Sequence, residues 1–277
     1  RRRATQAFRF TLGQAGRVLP LSVKRRLAKR STKLGYLLVH DGDLLVEDYL
    51  GEYRVWADAR QAAERAILFG AYDQELALAA SQYLKKGGTA IDVGANVGAT
   101  AFVLARQVGE QGRVHCFEPG PGFAARLRRN LELNPALQRA LEVHEVGLSD
   151  KPDTLLWSED PLFPGNGFFG KRGREIPVVT LDTALPNLER LDFVKIDVEG
   201  MEHKVLAGAK ALLARHRPAV FFETAMDFET YHRQPIRKYA TDLLLGLGYH
   251  LLRLNSKQQW VPCSYPHLAA NTLAIPT

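Results

Sequence analysis

The stretch Thr89-Ala-Ile-Asp-Val-Gly-Ala-Asn-Val-Gly98 narrows the fold of this chain more than any other. Residues 89–93 read as a short buried strand, apolar except near its end, between Gly87-Gly88 and Gly94. Past the turn, Phe102, Ala105 and Val108 recur at helical spacing. A strand, a glycine turn and a helix make the nucleotide-binding corner of a doubly wound sheet. Gly94 and Gly98 allow a tight bend with room for a ligand beside the backbone. The helix start adds unpaired N–H groups and a positive dipole end.

The details argue against a dinucleotide. Its fingerprint is G-x-G-x-x-G, with a pyrophosphate on the helix start. Here the pattern is Asp92-x-Gly94-x-Asn96-x-Gly98. Asp92 would repel a pyrophosphate and suit a cation. S-adenosylmethionine, with a sulfonium, an ammonium and a carboxylate, matches an acid beside N–H donors better.

The following strands extend that reading. Arg113 to Phe117 ends in Glu118-Pro119. Glu118 follows Asp92 at close to the roughly 20-residue spacing of an acid that accepts ribose hydroxyls. A third strand, Leu141 to Val146, leads to Gly147-Leu148-Ser149-Asp150, where an adenine would rest with Ser149 at its polar edge. Residues 151–176 leave regular alternation, and about 158–172 is rich in Gly, Pro and Phe, so it reads as a substrate-side loop. Asp182 reads as the N-cap of the next helix. Phe193 to Asp197 is another parallel strand, and Glu199, Glu202, His203 and Glu223 collect at its end and at that of the strand Ala219 to Phe222. Acids at this sheet edge face the ligand crevice. They can bind the cofactor ammonium, act as general base with His203, or hold Mg²⁺ through oxygens. Two late strands, Tyr249 to Leu254 and Asn271 to Ile275, suggest an antiparallel edge hairpin. Such an edge separates a methyltransferase sheet from an all-parallel dinucleotide sheet.

Ahead of the central strand, short strand candidates run from Leu37-Leu38-Val39 to Tyr53–Trp56, and residues 60–86 read as helix broken near Gly70. Tyr72 and Glu75 sit within reach of the expected pocket. The helix after Glu118 carries Arg126, Arg128 and Arg129 on an outer, solvated face.

Charge is unevenly spread. The chain is +7 overall, yet residues 1–40 hold eleven Arg and Lys and no acid, so the remainder is net negative. That basic arm, interleaved with Phe8, Phe10 and Leu12, suits an anionic membrane surface or an acidic partner. It is not evidence of nucleic-acid chemistry. At 46% hydrophobic and 24% charged residues the composition is that of a soluble globular protein. No apolar run approaches the roughly 18 residues of a spanning helix. Cys116 and Cys263 form neither a zinc spacing nor a disulfide framework, which suits the cytoplasm, with peripheral membrane contact through the arm. The chain opens on Arg1, so the expectation is a trimmed piece with a targeting segment left open.

Five segments together resemble the FkbM family of S-adenosylmethionine-dependent methyltransferases. They are Asp92-Val-Gly-Ala-Asn-Val-Gly98; Phe117-Glu-Pro119 with Asn130; Leu181-Asp182; Asp192-Phe-Val-Lys-Ile-Asp-Val-Glu-Gly200 with Glu202; and Val205-Leu-x-Gly-Ala209. The resemblance covers roughly residues 70–276. It implies a class I Rossmann-like α/β fold, mostly parallel with an antiparallel C-terminal edge hairpin and helices on both faces. It also implies a cofactor site of Asp92, Gly94, Asn96, Gly98 and Glu118, with Asp197 near the methionine end. Family members mostly methylate hydroxyls of sugars, glycolipids or polyketide-type products, so the expected acceptor is a small-molecule or glycan hydroxyl. Asp197, Glu223 and His203 are the candidates for acceptor chemistry. The expected organisation is a basic arm (1–33), a strand-rich element (34–58) and a methyltransferase domain (59–277). The alternatives are a nucleic-acid methyltransferase guided by the arm, or a non-catalytic scaffold that keeps the fold.

Overall fold

A computed structural model describes residues 43–58, 61–68, 73–159, 167–224 and 234–277. The basic arm, the strand candidate at Leu37–Val39, Tyr72 and residues 160–166 of the expected loop lie outside the described residues. Strands β1 (Asp43–Tyr49) and β2 (Tyr53–Asp58) form a hairpin. Helices α1 (Ala62–Leu68) and α2 (Gln74–Tyr83) precede β3 (Thr89–Val93), α3 (Ala99–Val108), β4 (Arg113–Phe117) and α4 (Pro121–Glu132). Then come β5 (Leu141–His144), β6 (Gly147–Leu148), β7 (Asp153–Glu159), β8 (Gly167–Gly170), β9 (Arg174–Val179) and α5 (Leu181–Ala184). The chain continues through β10 (Phe193–Ile196), α6 (Glu202–Ala207), α7 (Lys210–His216) and β11 (Ala219–Glu223). It closes with α8 (Ile236–Gly246), β12 (Tyr249–Leu254), β13 (Trp260–Pro262) and β14 (Asn271–Pro276).

The main sheet has eight strands in the order β13-β12-β14-β11-β10-β3-β4-β5. From β11 to β5 the pairs are parallel, while β14, β12 and β13 are antiparallel. The polar stretch between the two late strands thus contributes a third, β13, at the edge. Strand order reverses between β3 and β10, which opens a crevice at their carboxyl ends. Alternate side chains feed two cores. Ala90, Val114, Cys116 and Phe193 pack with α3 and α4 residues such as Phe102 and Leu127. Ile91, Val93, Phe117 and Val194 pack with α6, α7 and α8. The apolar strands read as near-continuous runs because both faces are covered.

Asn130 of α4 and Asn134, just past its end, dock the β1–β2 hairpin through its backbone. Trp56 N–H donates to Asn130 Oδ1 at 2.8 Å and Arg54 N–H to Asn134 Oδ1 at 2.9 Å. Asn130 Nδ2 also donates to the Val97 carbonyl at 2.9 Å, so the hairpin is tied to the glycine turn. The arginines of α4 are not simply solvated. Arg126 donates to both carboxylate oxygens of buried Glu64 at 2.7 Å, and Arg129 pairs with Asp43 at 2.7 Å while lying over Trp56.

One further expectation needs correction. Thr180, not Asp182, caps α5; Asp182 instead accepts the Ala211 and Leu212 N–H groups at the start of α7. The described residues that flank 160–166 belong to a second sheet, β6-β9-β7-β8, in which β7 pairs antiparallel with β8 and β9.

Candidate active site

The crevice is shaped first by backbone. Gly94 has φ 77°, and a Cβ there would collide with the Asp197 carbonyl, so only glycine lets the ends of β3 and β10 meet this closely. Asn96 takes φ 51°, a left-handed conformation that asparagine tolerates, and its N–H donates to Glu118 Oε2 at 2.9 Å. Gly120 N–H donates to the other oxygen, Oε1, at 2.8 Å. Glu118 at the end of β4 is therefore held by the turn after β3 and the start of α4.

These ends enclose a cavity of about 260 Å³. One part of its wall is apolar: Phe117, Phe123, Leu148, Trp157 and Phe169. Trp157 of β7 lies edge-on to Phe123 at 5.9 Å between centroids. Its indole fills the space a side chain would need at Gly120 and Gly167, which brings the β7–β8 hairpin over the cavity. The rest of the wall is polar: Gly94, Asn96, Glu118, Asp197, Glu199 and Glu223. A neighbouring cavity of about 230 Å³ shares Asp197 and Glu223 and adds Asp73, Lys195 and Asn271.

Lys195 is the residue that linear reading missed. It lies mid-strand on β10, in register with Asp92 on β3 and Phe221 on β11. Its Nζ donates to the Gly94 carbonyl at 2.8 Å and sits 3.1 Å from Asp92 Oδ1 and 3.6 Å from Asp197 Oδ2. Burial alone would strip its proton, but Asp92, Asp197 and Asp73 reverse that and hold its pKa above the ordinary lysine value. Asp92 also accepts the Thr100 hydroxyl at 2.6 Å and is fully buried. Asp92, expected to contact the cofactor, does not line the cavity; its carboxylate faces Lys195 and Thr100.

The structure brings Gly94, Asn96, Glu118, Asp197 and Glu223 around one cavity. It does not bring Gly98, Ser149 or His203 to that wall. Gly98 caps α3, and a Cβ there would press on Leu127 of α4. Buried Ser149 donates its hydroxyl to Asp150 Oδ1 at 3.0 Å. His203 points from α6 toward α8, its ring 6.1 Å from that of Tyr239. Glu202 is structural: its Oε1 accepts Val198 and Gly200 N–H at 3.0 and 3.2 Å, closing a turn in which Glu199 and Gly200 both have positive φ. Glu75 accepts the Asn271 side-chain amide at 3.1 Å.

Burial pushes the carboxyls of Glu118 and Glu202 up to about 7. Glu223 goes further, to about 10, through burial and then the neighbouring charges of Asp197, Glu202 and Glu199. Below about pH 4.5 these groups are protonated in both folded and unfolded chains, and their stabilising effect is complete. It is lost as pH rises through the folded values, because the unfolded chain has already released those protons. Thermal stability of the ligand-free protein is therefore expected to fall from pH 5 to pH 9, by up to about 1.4 kcal/mol per pH unit for each fully shifted group. Glu223→Gln has no charge to bury. Scanning calorimetry across that range should show its melting temperature rising relative to wild type as pH increases. A constant difference at all pH values would mean that Glu223 is not held protonated.

A family model described as a methyltransferase FkbM domain matches residues 92–251. Methyltransferase sdnD of Sordaria araneosa is 28% identical, over 65% of this chain and 80% of that protein. Methyltransferase 1 of Beauveria bassiana (strain ARSEF 2860) is 27% identical, over 43% of this chain and 57% of that one. The crystal structure of methyltransferase FkbM from Methylobacillus flagellatus KT aligns with a TM-score of 0.47 and 18% identity, over 77% of this chain and 54% of that chain. The chain thus spans little more than half the length of the latter two. With more than half of its residues matched by the family model, it belongs to the FkbM methyltransferase family.

Proposed function

We propose that this protein is an S-adenosylmethionine-dependent O-methyltransferase whose acceptor is a hydroxyl of a sugar, a glycan or glycolipid, or a polyketide-type product. One observation carries the reading. Glu223 Oε2 is buried without a hydrogen-bond partner among the described residues, at the junction of the two cavities. A buried polar atom without a partner is costly, and a ligand group there would satisfy it.

The remaining residues fit the cofactor. Glu118 offers acceptor capacity for the ribose hydroxyls, and Phe117, Leu148, Trp157 and Phe169 offer an apolar slot for adenine. Asp197 and Glu199 supply acidic groups for the cationic end, beside the neutral carboxyl of Glu223. When bound, S-adenosylmethionine supplies a methyl group on a positively charged sulfur, already activated for displacement. The protein's task is then to align the acceptor, exclude water and remove one proton. Asp197 takes the acceptor's hydroxyl proton on its carboxylate. Glu223 keeps its own proton at neutral pH, so it orients groups and does not act as a base. The smaller cavity, beside Asp73 and Asn271, is the acceptor side. Proton removal is assigned to the Asp197 carboxylate.

Calorimetric titration with S-adenosylmethionine, S-adenosylhomocysteine and NAD comes first, followed by transfer of a labelled methyl group to a panel of hydroxyl acceptors. Micromolar binding of the first two, no response to NAD, and a methyl ether product are expected. Asp197→Asn should slow transfer at saturating cofactor about a hundredfold or more, beyond any weakening of cofactor binding. Full activity in that variant would remove Asp197 from the role of base. Binding of NAD instead would overturn the cofactor assignment.

A further inference from the structure

Away from both cavities, the β4–β5 edge of the main sheet carries a second group of chemically competent side chains. His115 lies on β4, and Glu142 and His144 lie on β5. Register sets His115 opposite Glu142, and the period of two places His144 on the same face as Glu142. Three potential ligands from two adjacent strands therefore project together.

Their spacing is specific. His115 Nδ1 lies 3.3 Å from His144 Nε2 and 3.3 Å from Glu142 Oε2, and His144 Nε2 lies 3.7 Å from Glu142 Oε1. A tetrahedral ion with bonds of about 2.0–2.1 Å needs ligand atoms about 3.3–3.4 Å apart, as the two imidazole nitrogens are. The exposed Glu142 carboxylate, which reaches one histidine with each oxygen, can rotate to supply a third. Simple hydrogen bonding explains less, because His115 Nδ1 faces two partners and an N–H can point well at only one. The His144 ring is also fixed, stacked on Phe117 at 4.5 Å with planes 13° apart.

The geometry points to a site for a transition-metal ion of the Zn²⁺ type, held by His115, Glu142 and His144, with a fourth position open to solvent. Two imidazoles and one carboxylate favour Zn²⁺, Co²⁺ or Ni²⁺ over Mg²⁺ or Ca²⁺, which take oxygen ligands. The Glu142 side chain is 61% exposed, against 11% for His115 and 21% for His144, so the open position faces outward. Bound metal would clamp β5, the sheet's edge strand, to β4. The clamp reaches the main cavity by a short path: the Glu118 N–H donates to the His144 carbonyl at 3.1 Å.

The test is titration of metal-stripped protein with Co²⁺, read by visible absorption, with thermal melting in parallel. One equivalent with the intense absorption of tetrahedral Co²⁺ is expected, displaced by Zn²⁺ and untouched by Mg²⁺. Binding should raise the melting temperature. Glu142→Gln, at an exposed position that tolerates the change, should weaken binding about tenfold or more, and His144→Gln should abolish it. Retained affinity for S-adenosylhomocysteine in Glu142→Gln would show that the variant is folded. Octahedral Co²⁺, or equal binding by wild type and Glu142→Gln, would assign the metal to histidines elsewhere and overturn the site.

Discussion

Lys195→Met is expected to destabilise the protein by about 3–5 kcal/mol, enough to leave little folded material. The methionine itself packs well, being close to lysine in length. Loss of the ammonium is the damage. Asp92 is fully buried, and Lys195 Nζ at 3.1 Å is its counter-charge. Without it, Asp92 must either carry an unpaired charge in the core or take up a proton, and both cost free energy. The Gly94 carbonyl also loses a donor at 2.8 Å, just where the β3 turn begins. Urea unfolding of the single variant and of Lys195→Met with Asp92→Asn separates these effects. The double variant should recover most of the loss, because it removes the stranded charge. If the double variant is as unstable as the single one, the pair is not the source of the effect.

Glu118→Ala is expected to weaken S-adenosylhomocysteine binding at least about a hundredfold. Two hydroxyl donors to a charged acceptor account for that, at about 1.5–3 kcal/mol each. The alanine also leaves the N–H groups of Asn96 and Gly120 without their acceptor, so the turn that shapes the cavity loosens. The protonation state adds a second signature. Burial holds the Glu118 carboxyl near 7 against the opposing pull of those N–H groups. Affinity should therefore fall as pH drops through about 7, and Glu118→Gln should show weaker binding without that dependence. Calorimetry at pH 6 and pH 8 measures both. An unchanged dissociation constant in Glu118→Ala would place the ribose elsewhere.

Much of this architecture was legible in the chain. β3, β4, β10 and β11 are covered on both faces, so they stand out as apolar runs, and the glycines after β3 announce the turn. Glu118, Asp197 and Glu223 were found because each follows such a run at the strand end. Lys195 was not found, because a lysine amid apolar residues gives no hint of its partner. Asp92 lies over 100 positions earlier, and only the parallel register joins them. The same separation hid the pairing of Asp92 with Lys195: a carboxylate at a strand end looks alike whichever way it faces. The end of β7 and the whole of β8 read as loop because β8 is a four-residue Gly-Phe-Phe-Gly stretch, Gly and Pro lie between the two strands, and their pairing is with each other and β9. Ser149 and His203 sit near strand ends in sequence, but the first turns into a bond with Asp150 and the second toward α8. His115 and His144 were invisible for the reason Lys195 was: their meeting depends on strand pairing.

The small sheet is an excursion whose two ends meet. Gly147 and Leu148 enter it paired with Val178 and Val179, which leave it, so the excursion begins and ends at neighbouring points. Everything between these stems can lengthen, shorten or be exchanged without moving a strand of the main sheet. Trp157 and Phe169, carried on that excursion, reach the cavity wall. One pocket covering could therefore be traded for another by exchanging a single contiguous segment, with the main sheet left in place.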